Sequence, residues 1–285
     1  MIALDLRDEA ARAPLDLGDV SALTTAERAA AITNWRDRMV SEHASARVFA
    51  GFFDRLLRAG MPRRHLDMAR AAIDEELSHA VLCARALTAL GGEARAPLPD
   101  PLPRLAQHED ASPIEAVLRD ALSIGACSET VAVALVGAER EQAACPDLRG
   151  VLDHILADEV GHARLGWKLL DELLPSEGMP TRRRLSAYLV AVFEHQLAFH
   201  SPFLHMPPMT DRGVAFGAAD GPSSWRVFLS TMTTITIPGL DQRGLFASAA
   251  WAIAVQRARE TAAEPAHTRA ATEACGPACA AAPAQ

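Results

Sequence analysis

The stretch DEVGHARLGW, residues 158–167, decides how this chain is read. It continues a stripe formed by Leu152, Ile155, Leu156, Leu169 and Leu173, since apolar residues three and four apart line one face of a helix. Glu159 and His162 fall on that same stripe. A carboxylate in an apolar core carries a desolvation cost of several kcal/mol unless its charge is offset. The stretch therefore predicts partners for Glu159 inside the core.

Three further segments share this build. From Thr25, the run AERAAAITNWRDRMVSEHASARVFAGFFDRLLRAG places Ile32, Trp35, Met39, Ala46, Phe49, Phe53 and Leu56 at helical spacing and closes at Gly60,. Pro62 opens a second helix carrying Leu66, Ala69, Ile73, Ala80, Cys83, Leu87 and Leu90, which Gly91 and Gly92 stop. Ser112 and Pro113 read as an N-cap followed by proline at the first helical position. They start a third helix with Ile114, Val117, Leu118, Leu122, Gly125, Ala132, Val133 and Val136 on its stripe. Pro146 opens the fourth, which passes through the quoted stretch to Leu174 and Pro175.

The turns near Gly60 and Cys145 are short, so each joins antiparallel neighbours. Residues 91–112 are proline-rich and aperiodic, which predicts an extended connection able to run the length of a bundle,. The expected fold is all-α, a four-helix bundle over 25–175 with one long crossover. An N-terminal arm, 1–24, precedes it. A C-terminal helical extension, 176–262, follows and packs on the bundle; it contains RRLSAYLVAVFEHQLAF, irregular sequence, and helix within about 224–262,. The β-branched TMTTITIP is its least helical part,. The Ala/Pro-rich tail 263–285 is expected to be disordered,. Strand signals are almost absent.

Composition narrows the function classes. With 285 residues, 49% of them apolar, the chain can bury a large core, and aromatics at 5% with abundant alanine and leucine favour helix over strand,. A net charge of −8 argues against a nucleic-acid or anionic-membrane binder,. No uninterrupted apolar run approaches the roughly 20 residues of a membrane span, and MIALDLRDEA lacks the regions of a signal peptide, so a cytoplasmic location is expected,. Five cysteines without a CxxC pair suggest neither a disulfide framework nor a zinc ribbon,.

Each bundle helix carries one glutamate on its apolar stripe: Glu42, Glu76, Glu129 and Glu159. The second and fourth helices add a histidine three residues on, His79 and His162, on the same face,. At 1.5 Å per residue Glu42 lies about 27 Å and Glu76 about 21 Å from the turn at Gly60, and Glu129 and Glu159 each about 20 Å from the turn near Cys145. All four carboxylates can meet at one level, and two divalent metal ions would cancel their charge. Surface or salt-bridged glutamates would not explain this matched pattern, and no arginine is expected on these stripes beside them.

This constellation resembles the ferritin-like di-iron carboxylate family, in which a Glu from each of two helices and Glu-x-x-His from the other two face inward. The resemblance covers residues 25–175. It implies Glu42, Glu76, His79, Glu129, Glu159 and His162 as ligands of two iron ions, with manganese left open, and O2 as co-substrate. It also implies Asp158, and in the matching place Glu75, as carboxylates that orient a ligand histidine. Ser78 and Gly161, both small and both just before a ligand histidine, are expected to leave space near the metals.

Within that family the chain departs from several members. It has no rubredoxin-like pair of CxxC motifs, as rubrerythrins do, and Cys275 and Cys279 have the wrong spacing for one. Its single tyrosine, Tyr188, lies on the fifth helix as a packing residue, away from where a radical subunit needs it. Storage ferritins lack so long an extension, which here suits a substrate cover or a dimer surface. The threonine that several hydroxylases carry one turn after the third-helix glutamate is replaced by Ala132 and Val133, with Thr130 and Cys127 nearby as further pocket residues. Ile155 stands where arylamine N-oxygenases have an extra histidine; His154 beside it and His195 on the fifth helix are secondary candidates.

The expectation is a di-iron, O2-activating oxygenase or oxidase that hydroxylates, desaturates or N-oxidises a small organic substrate. Its electrons would come from an external reductase or ferredoxin, or from the substrate. The alternative is a ferroxidase or iron-binding protein without organic substrate, and a structural helical partner protein is the third.

Overall fold

The first residues of the chain are fastened to the bundle. β1 (Ala3–Asp5) pairs antiparallel with β2 (Arg95–Pro97), Leu4 opposite Ala96, and α1 (Arg7–Arg12) packs on the second long helix. This small sheet leaves the fold all-α, and three-residue strands some ninety residues apart leave no alternating pattern to read in the sequence. The computed structural model describes residues 2–263, so the expected tail, apart from its first residue, lies outside the described residues, as do Cys275 and Cys279.

Thr24 caps α2 (Thr25–Arg58): its hydroxyl accepts from the Glu27 N–H while the Glu27 carboxylate accepts from the Thr24 N–H, so two otherwise orphaned amides are satisfied. α2 ends at Gly60, whose φ of 68° suits glycine,, and α3 (Arg63–Ala89) runs back along it. The connection then follows α2 from one end to the other. Arg28 holds the Leu90 carbonyl at its start, Leu105 rests on Gly51, and Arg55 donates to the carbonyls of Ala106 and Gln107 near its end.

The third bundle helix is not uniform. α4 (Pro113–Ala121), capped by the Ser112 hydroxyl, passes into a π-helical segment, Leu122–Glu129, and then into α5 (Thr130–Gln142). The hydroxyls of Ser128 and Thr130 donate to the carbonyls of Ser123 and Gly125, each five residues back. Gly125 presses against Gly166 of α6 (Pro146–Leu173); a Cβ on Gly125 would lie 2.5 Å from the Gly166 Cα. A continuous α-helix was the expectation, and π segments of this kind recur at functional sites.

The core divides in two. One apolar cluster holds Phe49, Phe52, Leu56, Leu118, Leu122, Leu165 and Leu169; the other holds Trp35, Met39, Cys83, Leu87, Leu148, Leu152 and Ile155. Each fully buried Leu or Phe contributes about 1.5–3 kcal/mol. The glutamate and histidine positions of all four helices lie between the two sets in sequence, so apolar packing encloses the polar layer from both ends.

The extension is helical, as expected, and covers the third helix. It comprises α7 (Met179–His200), α8 (Pro202–His205), α9 (Asp211–Ala215), α10 (Gly221–Thr231), a second π segment at Met232–Thr236, α11 (Ile237–Gln242) and α12 (Ala247–Ala263). The β-branched stretch is thus the second π segment, and its Thr236 hydroxyl donates to the Ala126 carbonyl of the first. α7 also lies on the first π segment, and α10 lies on α5. By length and apolarity alone, Pro113–Gln142 is the one helix among the described residues able to cross a membrane. Here α2, α6, α7 and α10 surround it, and its apolarity serves burial.

Candidate metal centre

Two groups of four side chains converge between the apolar clusters. The first contains Glu42, Glu76, His79 and Glu159; the second contains Glu76, Glu129, Glu159 and His162, with ligand atoms in each group within 4.8 Å of one another. Glu76 and Glu159 belong to both groups, Glu42 and Glu129 to one each.

The atoms divide cleanly. His79 Nδ1 lies 3.8 Å from Glu42 Oε2, 3.8 Å from Glu76 Oε2 and 3.6 Å from Glu159 Oε1. His162 Nδ1 lies 3.3 Å from Glu76 Oε1 and 3.3 Å from Glu159 Oε2. Each shared carboxylate therefore gives one oxygen to each histidine. Ligand atoms bound to one ion at about 2.0–2.2 Å stand roughly 3–3.6 Å apart; the His162 pairs at 3.3 Å and the His79–Glu159 pair at 3.6 Å fall in that range, and the His79 pairs with Glu42 and Glu76 at 3.8 Å are slightly wider.

The other ring nitrogens are held crosswise. Asp158, on α6, lies 3.1 Å from His79 Nε2 of α3, and Glu75, on α3, lies 2.8 Å from His162 Nε2 of α6. A carboxylate at Nε2 keeps the proton there and turns the Nδ1 lone pair toward the cluster. Both carboxylates that the sequence suggested for this task are in place, each serving the histidine of the opposite helix.

The fit to metal ions rests on atoms without partners. His79 Nδ1, His162 Nδ1, Glu76 Oε2 and Glu159 Oε2 are buried with no hydrogen-bond partner. Leaving such atoms unsatisfied costs about 1–3 kcal/mol each; a cation in the first group would satisfy His79 Nδ1 and Glu76 Oε2, and one in the second His162 Nδ1 and Glu159 Oε2. Protons occupy the cluster otherwise. Burial pushes Glu42 up to about 8, with Glu76 and Glu159 adding to the rise, and burial with the Glu159 charge pushes Glu129 well above the usual carboxylate range. Burial opposes charge on the imidazoles, yet Glu42 and Glu76 hold His79 up at about 11, and Glu159 and Glu76 hold His162 up at about 10. Burial also opposes charge on Glu76, but the neighbouring imidazoles of His162 and His79 bring it below its ordinary value.

Other residues singled out from the sequence lie elsewhere. Ser78 is exposed and bonds the Asp74 carbonyl, and a Cβ on Gly161 would meet open space, so neither makes room at the cluster. Both project from the outer faces of their helices, one residue away from the inward stripe. Gly166, five residues after Gly161, is the glycine with a packing role. Thr130 is committed on both sides, donating to Gly125 and accepting from Trp167 Nε1 at 2.9 Å. Cys127 is buried within the π segment and burial pushes its thiol up; Ala132 and Val133 are half-buried on α5. His154 is largely exposed, 3.5 Å from Asp158, and His195 is exposed beside Phe199. Tyr188 packs its ring against His108 and under the Arg119 guanidinium.

An arginine does stand beside the cluster, contrary to expectation. Arg38, one turn before Glu42, pairs with Glu139 at 2.7 Å, and its charge opposes the rise at Glu42. The spacing of four made it readable; its burial was not, because Glu139 comes from a different hairpin. The sequence reading also missed Gln196 of α7, buried and 2.9 Å from Ser128.

Fold and site together define a class: an all-α bundle whose core holds buried glutamates and histidines able to bind metal ions. Beyond that class, no family model, no curated protein and no solved structure matches the chain.

Proposed function

We propose that the chain is a di-iron, O2-activating oxygenase or oxidase acting on a small organic substrate. The observation that carries the reading is the pair of four-ligand groups sharing Glu76 and Glu159. Two histidine nitrogens with carboxylate oxygens make a donor set suited to iron or manganese. When bound, iron would supply the electrons that reduce O2 and the oxidising power directed at the substrate.

The chain's own residues have separate tasks. Glu76 and Glu159, common to both groups, would help hold both ions and offset charge at each. Asp158 and Glu75 hold the Nε2 protons of His79 and His162 and fix the rings. The apolar clusters on either side exclude water, which strengthens every charge interaction within,. Electrons would come from a separate reductase or ferredoxin, or from the substrate.

An oxygenase is favoured over a ferroxidase by the helical cover over the third helix, because aromatic and hydrogen-bonding side chains there suit an organic molecule better than an iron path. The two are separated by mixing the reduced, iron-loaded chain with O2. Continued turnover on added Fe(II) alone supports the ferroxidase; a requirement for organic substrate and external electrons supports the oxygenase.

A further inference from the structure

We infer that Gln196 anchors the organic ligand on the Glu129 side of the cluster, and that the group it takes is a hydrogen-bond donor, a hydroxyl or an amine, on an otherwise apolar molecule. The presence of an organic ligand rests on the reading proposed above; the polarity of the anchor follows from hydrogen bonds.

Ser128 has one hydroxyl hydrogen, directed at the Ser123 carbonyl 3.1 Å away. Toward Gln196, 2.9 Å away, Ser128 can therefore only accept, so the carboxamide presents its NH2 group to Ser128,. The Gln196 carbonyl oxygen is left over. The residue is 2% exposed, and this oxygen is buried with no hydrogen-bond partner. A buried acceptor is unfavourable until a donor reaches it. A ligand carbonyl, ether or carboxylate would add a second acceptor, whereas an O–H or N–H satisfies the first.

The surroundings fix the rest of the ligand. His200, one turn on along α7, also has a buried Nδ1 without a partner. Its ring is stacked between Phe203 and Phe228, at 5.8 and 4.4 Å, and burial holds it neutral, down at about 4. The Thr130 and Thr236 hydroxyls donate to the Gly125 and Ala126 carbonyls, so neither supplies Gln196 with its donor. Ser128 directly precedes Glu129. An acceptor with an unmet bond thus stands one turn of α7 from an aromatic stack and beside the residue that precedes a proposed metal ligand.

Phenol and anisole test this, since they share a ring and differ in the O–H. Their binding to the full chain as isolated is measured by ligand-observed NMR. Phenol should bind about ten-fold tighter than anisole, and Gln196→Met should level the two. Ser128→Ala, which frees the carboxamide to turn over, should bring the ratio toward one, and it serves if Gln196→Met does not fold. Absent phenol binding, equal binding of both probes, or a ratio unchanged in both variants overturns the anchor. Phenol preference in a chain that turns over on Fe(II) and O2 alone leaves the anchor standing and removes the oxygenase reading. Iron-dependent oxidation of an organic substrate without that preference removes the anchor alone.

Discussion

The two hairpins contribute the same side chains, two glutamates and a histidine each, on different backbones. The α2–α3 hairpin supplies Glu42, Glu76 and His79 from helices of 34 and 27 residues without interruption. The α4–α6 hairpin supplies Glu129, Glu159 and His162, and Glu129 sits at the end of a π segment. Their neighbours differ as well. Glu42 has the Arg38–Glu139 pair beside it, while Glu129 follows Ser128, which Gln196 of the cover reaches. The repeat in sequence specifies the donor set; the break in symmetry separates an enclosed side from one shaped by the extension.

The largest effect expected is at the shared carboxylates. Glu159→Ala or Glu76→Ala should abolish loading of both metal positions, whereas Glu42→Ala and Glu129→Ala should each cost one, as read by metal analysis after dialysis. Equal losses from shared and terminal variants would break the comparison. Next, Gly166→Ala should destabilise the fold by about 3 kcal/mol or more, since its Cβ would meet the Gly125 backbone at 2.5 Å,. Gly161→Ala, opening onto empty space, should be neutral to slightly stabilising in the same denaturant titration,.

Smaller changes test the crosswise supports. Asp158→Asn should weaken the position held by His79, and Glu75→Gln the one held by His162, each by about 10–100-fold in metal affinity. Cobalt spectra of the two variants would show which position is lost.

The pH dependence is the mildest prediction. His79 at about 11, His162 at about 10 and Glu42 at about 8 all bind protons more tightly folded than unfolded. Stability therefore falls as pH rises wherever the folded state holds the extra protons. The metal-free chain should melt at lower temperature as pH rises from about 6 to 9. Metal affinity should rise over the same window, because those protons leave on binding. A melting curve for the metal-free chain that climbs across this window would contradict the assignment.

Much of this was legible in the sequence because it depends on local spacing. Glu then Glu-x-x-His, repeated on apolar stripes, is enough to bring six side chains to one level, and the capping residue Ser112 marks where the third helix starts. What was not legible depends on contacts between distant segments. Gly125 and Gly166 meet only across two helices, the β1–β2 pair joins residues too short to show a period, and Gln196 reaches Ser128 from the extension. The quoted stretch holds both kinds of information: Glu159 and His162 could be read as ligands, but Gly166 could not be read as the seat of the π segment.

The central claim is that four glutamates and two histidines form one two-metal centre. Titration of the full metal-free chain with Fe(II) under anaerobic conditions, followed by metal analysis, tests it most directly. The account predicts two ions per chain, both lost in Glu159→Ala; one ion or none in the native chain, or full occupancy in the variant, would contradict it.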